Sequence, residues 1–166
     1  SSFLQRGFDQ VVHDVCMQNL PVVFAIDRAG LVGADGETHQ GVFDLSYMGM
    51  IPNMTVLAPK NKWELADMLR FAFRQNVAVR YPHGTAYDGL KEHRAPICYG
   101  KSEWLCEEMQ IAIFAVGNMV EEAVKVHEIL HERGYDCSLI NVRSVKPLDQ
   151  ETLLKAAKEH LLIVTM

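Results

Sequence analysis

Several absences narrow what this 166-residue chain can be. No apolar run approaches the roughly 20 residues that a membrane-crossing helix needs, and no amino-terminal leader pattern is visible, so the expectation is a cytoplasmic protein without membrane contact. Its four cysteines (Cys16, Cys98, Cys106, Cys137) include no C-x-x-C pair, and two of them sit within apolar patterns, which argues against a disulfide scaffold. There is no excess of positive charge. The net charge is −5, and neither residues 1–90 (7 basic, 9 acidic) nor residues 91–166 (9 basic, 12 acidic) present a basic face, which disfavours nucleic acid as a partner. Internal repeats and low-complexity tracts are also missing.

What is present is an ordinary globular composition, 49% hydrophobic and 22% charged, organised as alternating strands and helices. "SSFLQRGFDQVVHDVCMQN" has Leu4, Phe8, Val11, Val12 and Val15 at helical spacing, and Ser2 with Gln5 has the form of a capping box. "PVVFAID", "MTVLAP" and "VAVRYP" are short apolar runs expected as buried strands, with "KWELADMLRFAFRQN" a helix between the last two. "FDLSYMGMI" is expected to add one or two helical turns. After a linker, "GTAYDGLKEHRAP", a second run follows: strand "QIAIFAVG", a helix ended by Gly134, strand "CSLINVR", helix "LDQETLLKAAKEH" and strand "LLIVTM". The expected fold is α/β with a parallel, doubly wound sheet in residues 1–90 and a smaller α/β domain in residues 91–166. The abrupt apolar end suggests a fragment or one piece of a larger assembly.

Ligands of such sheets bind at the carboxyl ends of the strands. Two segments leave strands there. One is the long loop Asp27–Gly41, with four glycines, one arginine, three acids and one histidine, far longer than the usual two to six residues. The other is "RYPHG", Arg80–Gly84. Together they are expected to bring Arg28, Asp35, His39 and His83 to one edge. Arg28 suits either bidentate capture of a phosphate or carboxylate, or an ion pair with a loop acid. His39 suits a proton shuttle or hydrogen-bond donor, Asp35-Gly36 a turn or a site, and Phe3 core or a stacking surface.

"HEILHERGYDC" matches the zinc-protease pattern H-E-x-x-H, with Cys137 at the third-ligand position. Helical spacing centres the apolar face on Ala123, Val126 and Leu130, with His127 beside it, His131 further round and Glu128 on the opposite, charged face. An amphipathic surface helix explains the pattern better. "GADG" with Asn61 downstream lacks the glycine before Asp35 that a thiamine metal-diphosphate motif requires.

Taken together, "SSFLQRGFDQVVHDV", "PVVFAIDRAGLVGADGETHQGVFDLSYM", "IPNMTVLAP", "VRYPHG" and "VRSVKPLD" closely resemble the 1-deoxy-D-xylulose-5-phosphate synthases, thiamine diphosphate enzymes of the transketolase superfamily. The resemblance implies a transferase joining pyruvate to glyceraldehyde 3-phosphate with loss of carbon dioxide, for isoprenoid, thiamine and pyridoxal biosynthesis. It implies that Phe3 stacks on the cofactor's aminopyrimidine ring, that Arg6 lies near that ring, and that Arg28 holds the triose phosphate. Asp35 and His39 match residues contacting substrate or intermediate. His83 replaces the second phosphate-binding arginine of the family's "RYPRG" segment, with a shorter and only partly charged side chain. The glutamate that activates the aminopyrimidine and the ligands of diphosphate and Mg2+ are expected outside this chain, so no metal ligand is assigned within it. The resemblance further implies a homodimer, or pairing with an N-terminal partner segment. A split transketolase subunit and a non-catalytic assembly module are the alternatives.

Overall fold

A computed structural model describes all residues 1–166. The first unit begins with a helical stretch whose geometry changes along its length. A 3-10 turn (Leu4–Gly7) leads into α1 (Phe8–Gln10), which widens into π-helical geometry at Val11–Cys16. The two buried residues of the wide part, Val11 and Cys16, are five apart. An α-helix would turn them to different sides, whereas i→i+5 bonding, seen from Met17 N–H to Val12 O at 2.8 Å, keeps both inward. The capping box does not form: Phe3 occupies the N-cap position without a side-chain bond.

β1 (Val23–Ile26), α2 (Asp44–Met50), β2 (Thr55–Leu57), α3 (Lys62–Ala72) and β3 (Val77–Arg80) complete this unit. α3 starts where Asn61 Oδ1 accepts from Glu64 N–H at 2.9 Å, relieving one of the unpaired amides of a helix start. β3 pairs in parallel with β1 on one side and β2 on the other. Val11, Ile26, Met48 and Ile51 pack on one face of this sheet, and Leu57, Met68, Ala72 and Val79 on the other. Helices therefore cover both faces, as a doubly wound sheet requires.

The second unit contains β4 (Glu103–Cys106), β5 (Ile111–Ala115), α4 (Met119–Glu132), β6 (Cys137–Asn141), β7 (Ser144–Lys146), α5 (Gln150–Glu159) and β8 (Leu162–Thr165). Its sheet runs β4-β6-β5-β8, parallel except for β4. α4 packs Val120 and Ala123 against one face, and α5 packs Ala156 against the other.

β4 and β7 are additions to the sequence expectation. β7 leaves the second unit and pairs antiparallel with β2, setting Leu57 opposite Ser144 and extending the first sheet. Beneath this crossing lies a buried polar cluster. Lys60 Nζ reaches Glu64 at 3.1 Å and Glu103 at 2.6 Å, while Arg143 Nη2 reaches each of the same carboxylates at 2.8 Å. Asn141 Nδ2 donates to both. Burial works against the Glu103 charge, but the Lys60 hydrogen bond and the Arg143 charge outweigh it, holding its carboxyl below the usual range. The linker is tied down as well, through Asn61 Nδ2 to Gly89 O (2.9 Å) and Arg94 to Asp67 (2.7 Å).

Candidate active site

The carboxyl edge of the first sheet is organised by backbone before any side chain contributes. Pairing of β1 and β3 continues past the strands through Tyr81 N–H to Ile26 O (2.9 Å) and Ala29 N–H to Tyr81 O (3.1 Å). Arg28 lies between these bonds at φ +56°, a left-handed conformation unusual for a side chain of this size. The long loop then closes on itself. Gly30 N–H donates to Gly41 O at 2.7 Å, and Gly41 N–H returns the bond to Gly30 O at 2.9 Å. A Cβ on Gly41 would come within 2.4 Å of Arg28 O, so glycine is required at this crossing.

Within the closed loop, Gln40 substitutes for missing secondary structure. Its Oε1 accepts from Val32 N–H (2.6 Å), and its Nε2 donates to Val32 O (3.0 Å) and Gly36 O (2.6 Å). Below, the buried Asp44 carboxylate receives Arg80 Nε at 2.9 Å, and Arg80 Nη2 reaches Gly41 O at 3.5 Å. Sequence reasoning missed Gln40, Asp44 and Arg80. Their only signal was polarity beside apolar runs, and that does not say which polar group is buried.

Phe3, Arg28, Asp35 and His39 border one open cavity of about 610 Å³, together with Asp27. Arg28 Nη1 donates to Asp35 Oδ1 at 2.5 Å. This hydrogen bond, opposed by desolvation and aided by the charges of Arg28, His83 and His39, holds the Asp35 carboxyl below its ordinary range. The bond and charge of Asp35 in turn raise Arg28. Asp35 Oδ2 is buried without a partner. His39 meets the Phe3 ring edge-on at 4.9 Å between centroids, and its Nδ1 lies 2.8 Å from Thr38 Oγ1. The Arg6 guanidinium carbon is 5.3 Å from the Phe3 centroid. His83 is exposed and borders an adjacent cavity of about 420 Å³ that also includes Asp27 and the start of α4. The edge thus gathers a cation, an ionised carboxylate, two imidazoles and a half-exposed aromatic ring. Such a set suits a polar, anionic small molecule.

The family model described as "Transketolase, pyrimidine binding domain" matches residues 1–88, and "Transketolase, C-terminal domain" matches residues 100–166. The chain belongs to the transketolase family. Curated relatives named 1-deoxy-D-xylulose-5-phosphate synthase, from Lachnoclostridium phytofermentans and Clostridium tetani, are each 54% identical over the whole chain. The chain spans 27% of the length of those relatives. Among solved structures, a split-gene transketolase described as an inactive β4 tetramer superposes with a TM-score of 0.88 at 25% identity, covering 99% of this chain and 54% of that one. A transketolase from Campylobacter jejuni gives 0.79 at 15% identity over 99% of this chain and 30% of that one, a likeness of fold. The transketolase family architecture agrees with the two parallel-dominated α/β sheets described above. No helix is long and apolar enough to cross a membrane.

Proposed function

We propose that this chain is the pyrimidine-side part of a 1-deoxy-D-xylulose-5-phosphate synthase, a cytoplasmic, homodimeric transferase using thiamine diphosphate and Mg2+ to condense pyruvate with glyceraldehyde 3-phosphate. Residues 1–90 and 91–166 form its two units in this reading. The observation that carries it is the 54% identity, over the whole length of this chain, to relatives bearing that name. The half-exposed Phe3 ring offers a flat apolar surface at the cavity, which fits a planar heteroaromatic group such as an aminopyrimidine. Thiamine diphosphate, when bound, supplies the nucleophilic carbon and the electron sink of the condensation.

The residues of this chain bind and steer. Arg28 directs its remaining N–H groups at the triose phosphate while Asp35 fixes its orientation. The uncommitted acceptor Asp35 Oδ2 takes a substrate hydroxyl. His39, oriented through Nδ1 by Thr38, exchanges a proton with substrate oxygen at Nε2. His83 supplies a second, weaker anion contact from the neighbouring strand end.

The test is reconstitution of this chain with the N-terminal portion of the synthase, thiamine diphosphate and Mg2+, following pyruvate consumption with glyceraldehyde 3-phosphate. Arg28→Ala should raise KM for the triose phosphate by roughly ten- to a hundredfold, since hydrogen bonds to charged groups contribute about 1.5–3 kcal/mol. His39→Ala should lower kcat. Turnover only with a ketose donor would point to a split transketolase instead, a reading less supported at the 25% identity of the split-gene protein than the synthase reading at 54%. Cofactor binding without turnover of either donor would point to an assembly module.

A further inference from the structure

The H-E-x-x-H segment does not form a protease-type centre. His131 and Glu128 are exposed, and the His131 ring only stacks on His127 at 6.2 Å between centroids. His127 faces another way. We propose that Cys106, Glu108 and His127 form a binding site for a borderline-soft divalent transition metal, with zinc the first choice.

The three donors come from the end of β4, the β4–β5 turn and the middle of α4, and one ligand atom from each lies within 4.8 Å of the other two. Zinc bonds of about 2.0–2.3 Å in tetrahedral geometry place ligand atoms about 3.3–3.8 Å apart, so a small inward adjustment completes the set. His127 Nε2 is buried and has no hydrogen-bond partner, an expensive state for an imidazole nitrogen and one that coordination would relieve. Glu108 is fixed in place from outside the cluster. Its Oε2 accepts from Cys137 N–H at 2.5 Å, its own N–H donates to Ser138 Oγ at 2.8 Å, and that hydroxyl donates to Glu108 O at 2.9 Å. Orientation of ligating carboxylates by such neighbours is a regular feature of metal sites. One thiolate, one imidazole and one carboxylate make a donor set chosen by Zn2+ over Mg2+ or Ca2+. The ion would fasten α4 to β4, far in sequence from the loop that carries the proposed synthase site.

The experiment titrates the whole chain, reduced and stripped with chelator, with Co2+ alone and then with Zn2+. One cobalt per chain is expected, with a near-ultraviolet thiolate charge-transfer band that Zn2+ abolishes. Cys106→Ser should remove the band. His127→Gln and Glu108→Gln should each weaken binding by at least about tenfold, because loss of even an outer supporting partner costs ten- to a hundredfold. His131→Gln and Cys98→Ser should leave both unchanged. A reduced protein without the band, a band that survives Cys106→Ser, or equal losses for His127→Gln and His131→Gln would each overturn the assignment. Circular dichroism of Glu108→Gln, a nearly isosteric change at a half-buried residue, separates lost ligation from lost fold.

Discussion

The crossing between the two units makes a strong prediction about Glu103. Its Oε2 accepts from Lys60 Nζ (2.6 Å) and Asn141 Nδ2 (3.2 Å), and its Oε1 accepts from Ala95 N–H (3.2 Å). In Glu103→Gln the new amide finds no good orientation. With oxygen toward Lys60, its NH2 group opposes Ala95 N–H; turned over, it opposes Lys60 and Arg143. The cluster now balances Lys60 and Arg143 against Glu64 and Glu103, and the variant leaves one buried positive charge uncompensated. Breaking a buried pair on one side costs about 3–5 kcal/mol. That is a large part of the 5–15 kcal/mol typical of a domain.

Urea unfolding followed by tryptophan emission measures the loss. Trp63 lies in α3 and Trp104 in β4, so the two units report separately through single-tryptophan variants. The parent should unfold in one coincident transition, and Glu103→Gln should shift both midpoints downward. Lys60→Met added to Glu103→Gln restores charge balance and should recover part of the loss. The Glu103 carboxyl is depressed in the folded state, so its contribution is fully present above the ordinary carboxylate range. It disappears as pH falls through the depressed value, and the Gln variant should lack that acid-side decline. A loss below about 1 kcal/mol, or a double variant as unstable as the sum of its singles, would refute the reasoning.

Three further tests concern individual residues. Gly41→Ala should open the loop base, because its methyl would overlap Arg28 O; an overpacking cost of about 1–3 kcal/mol and faster hydrogen exchange at the Gly30 amide are expected. In Arg28→Ala the Asp35 carboxyl should titrate at higher pH than in the parent by NMR, since the Arg28 hydrogen bond is the main cause of its depression; an unchanged titration would deny the pair in solution. A thiol reagent at pH 8 should modify exposed Cys98 first and leave Cys137 unreacted in the native state, because burial pushes that thiol up to about 11.

The long-period features of this fold were legible from residues alone. Buried β strands such as "VAV" and amphipathic helices such as α3 and α4 repeat their pattern over enough positions to be read. β4 and β7 were not, being short and partly polar, with pairing set by contacts far along the chain. The π-helical turn at Val11–Cys16 was likewise hidden, since only tertiary burial selects a five-residue spacing over a four-residue one. At the site, the long loop and its convergence with "RYPHG" could be read, because strand ends in parallel sheets point the same way. What holds the loop could not. Gln40 bonding to backbone within its own loop, and Asp44 meeting Arg80 from another element, depend on which polar groups the fold deprives of water.

That distinction bears on how the loop works. A loop of glycines and polar residues loses much conformational entropy on ordering, and its side chains alone could not hold one shape. Here the ordering is done by groups that do not line the Arg28 cavity: the Gly30–Gly41 bridge, Gln40 inside the loop, and the Asp44–Arg80 pair beneath it. Arg28 and Asp35 are then presented already paired, with further guanidinium N–H groups and one buried carboxylate oxygen uncommitted. A ligand that offers an anion to the first and a hydroxyl to the second completes the hydrogen bonding without rearranging the wall. Preorganisation of this kind places the ordering cost in folding rather than in binding. It follows that changes to Gln40 or Arg80, which do not line the Arg28 cavity, should weaken the proposed anion binding there as changes to Arg28 itself would.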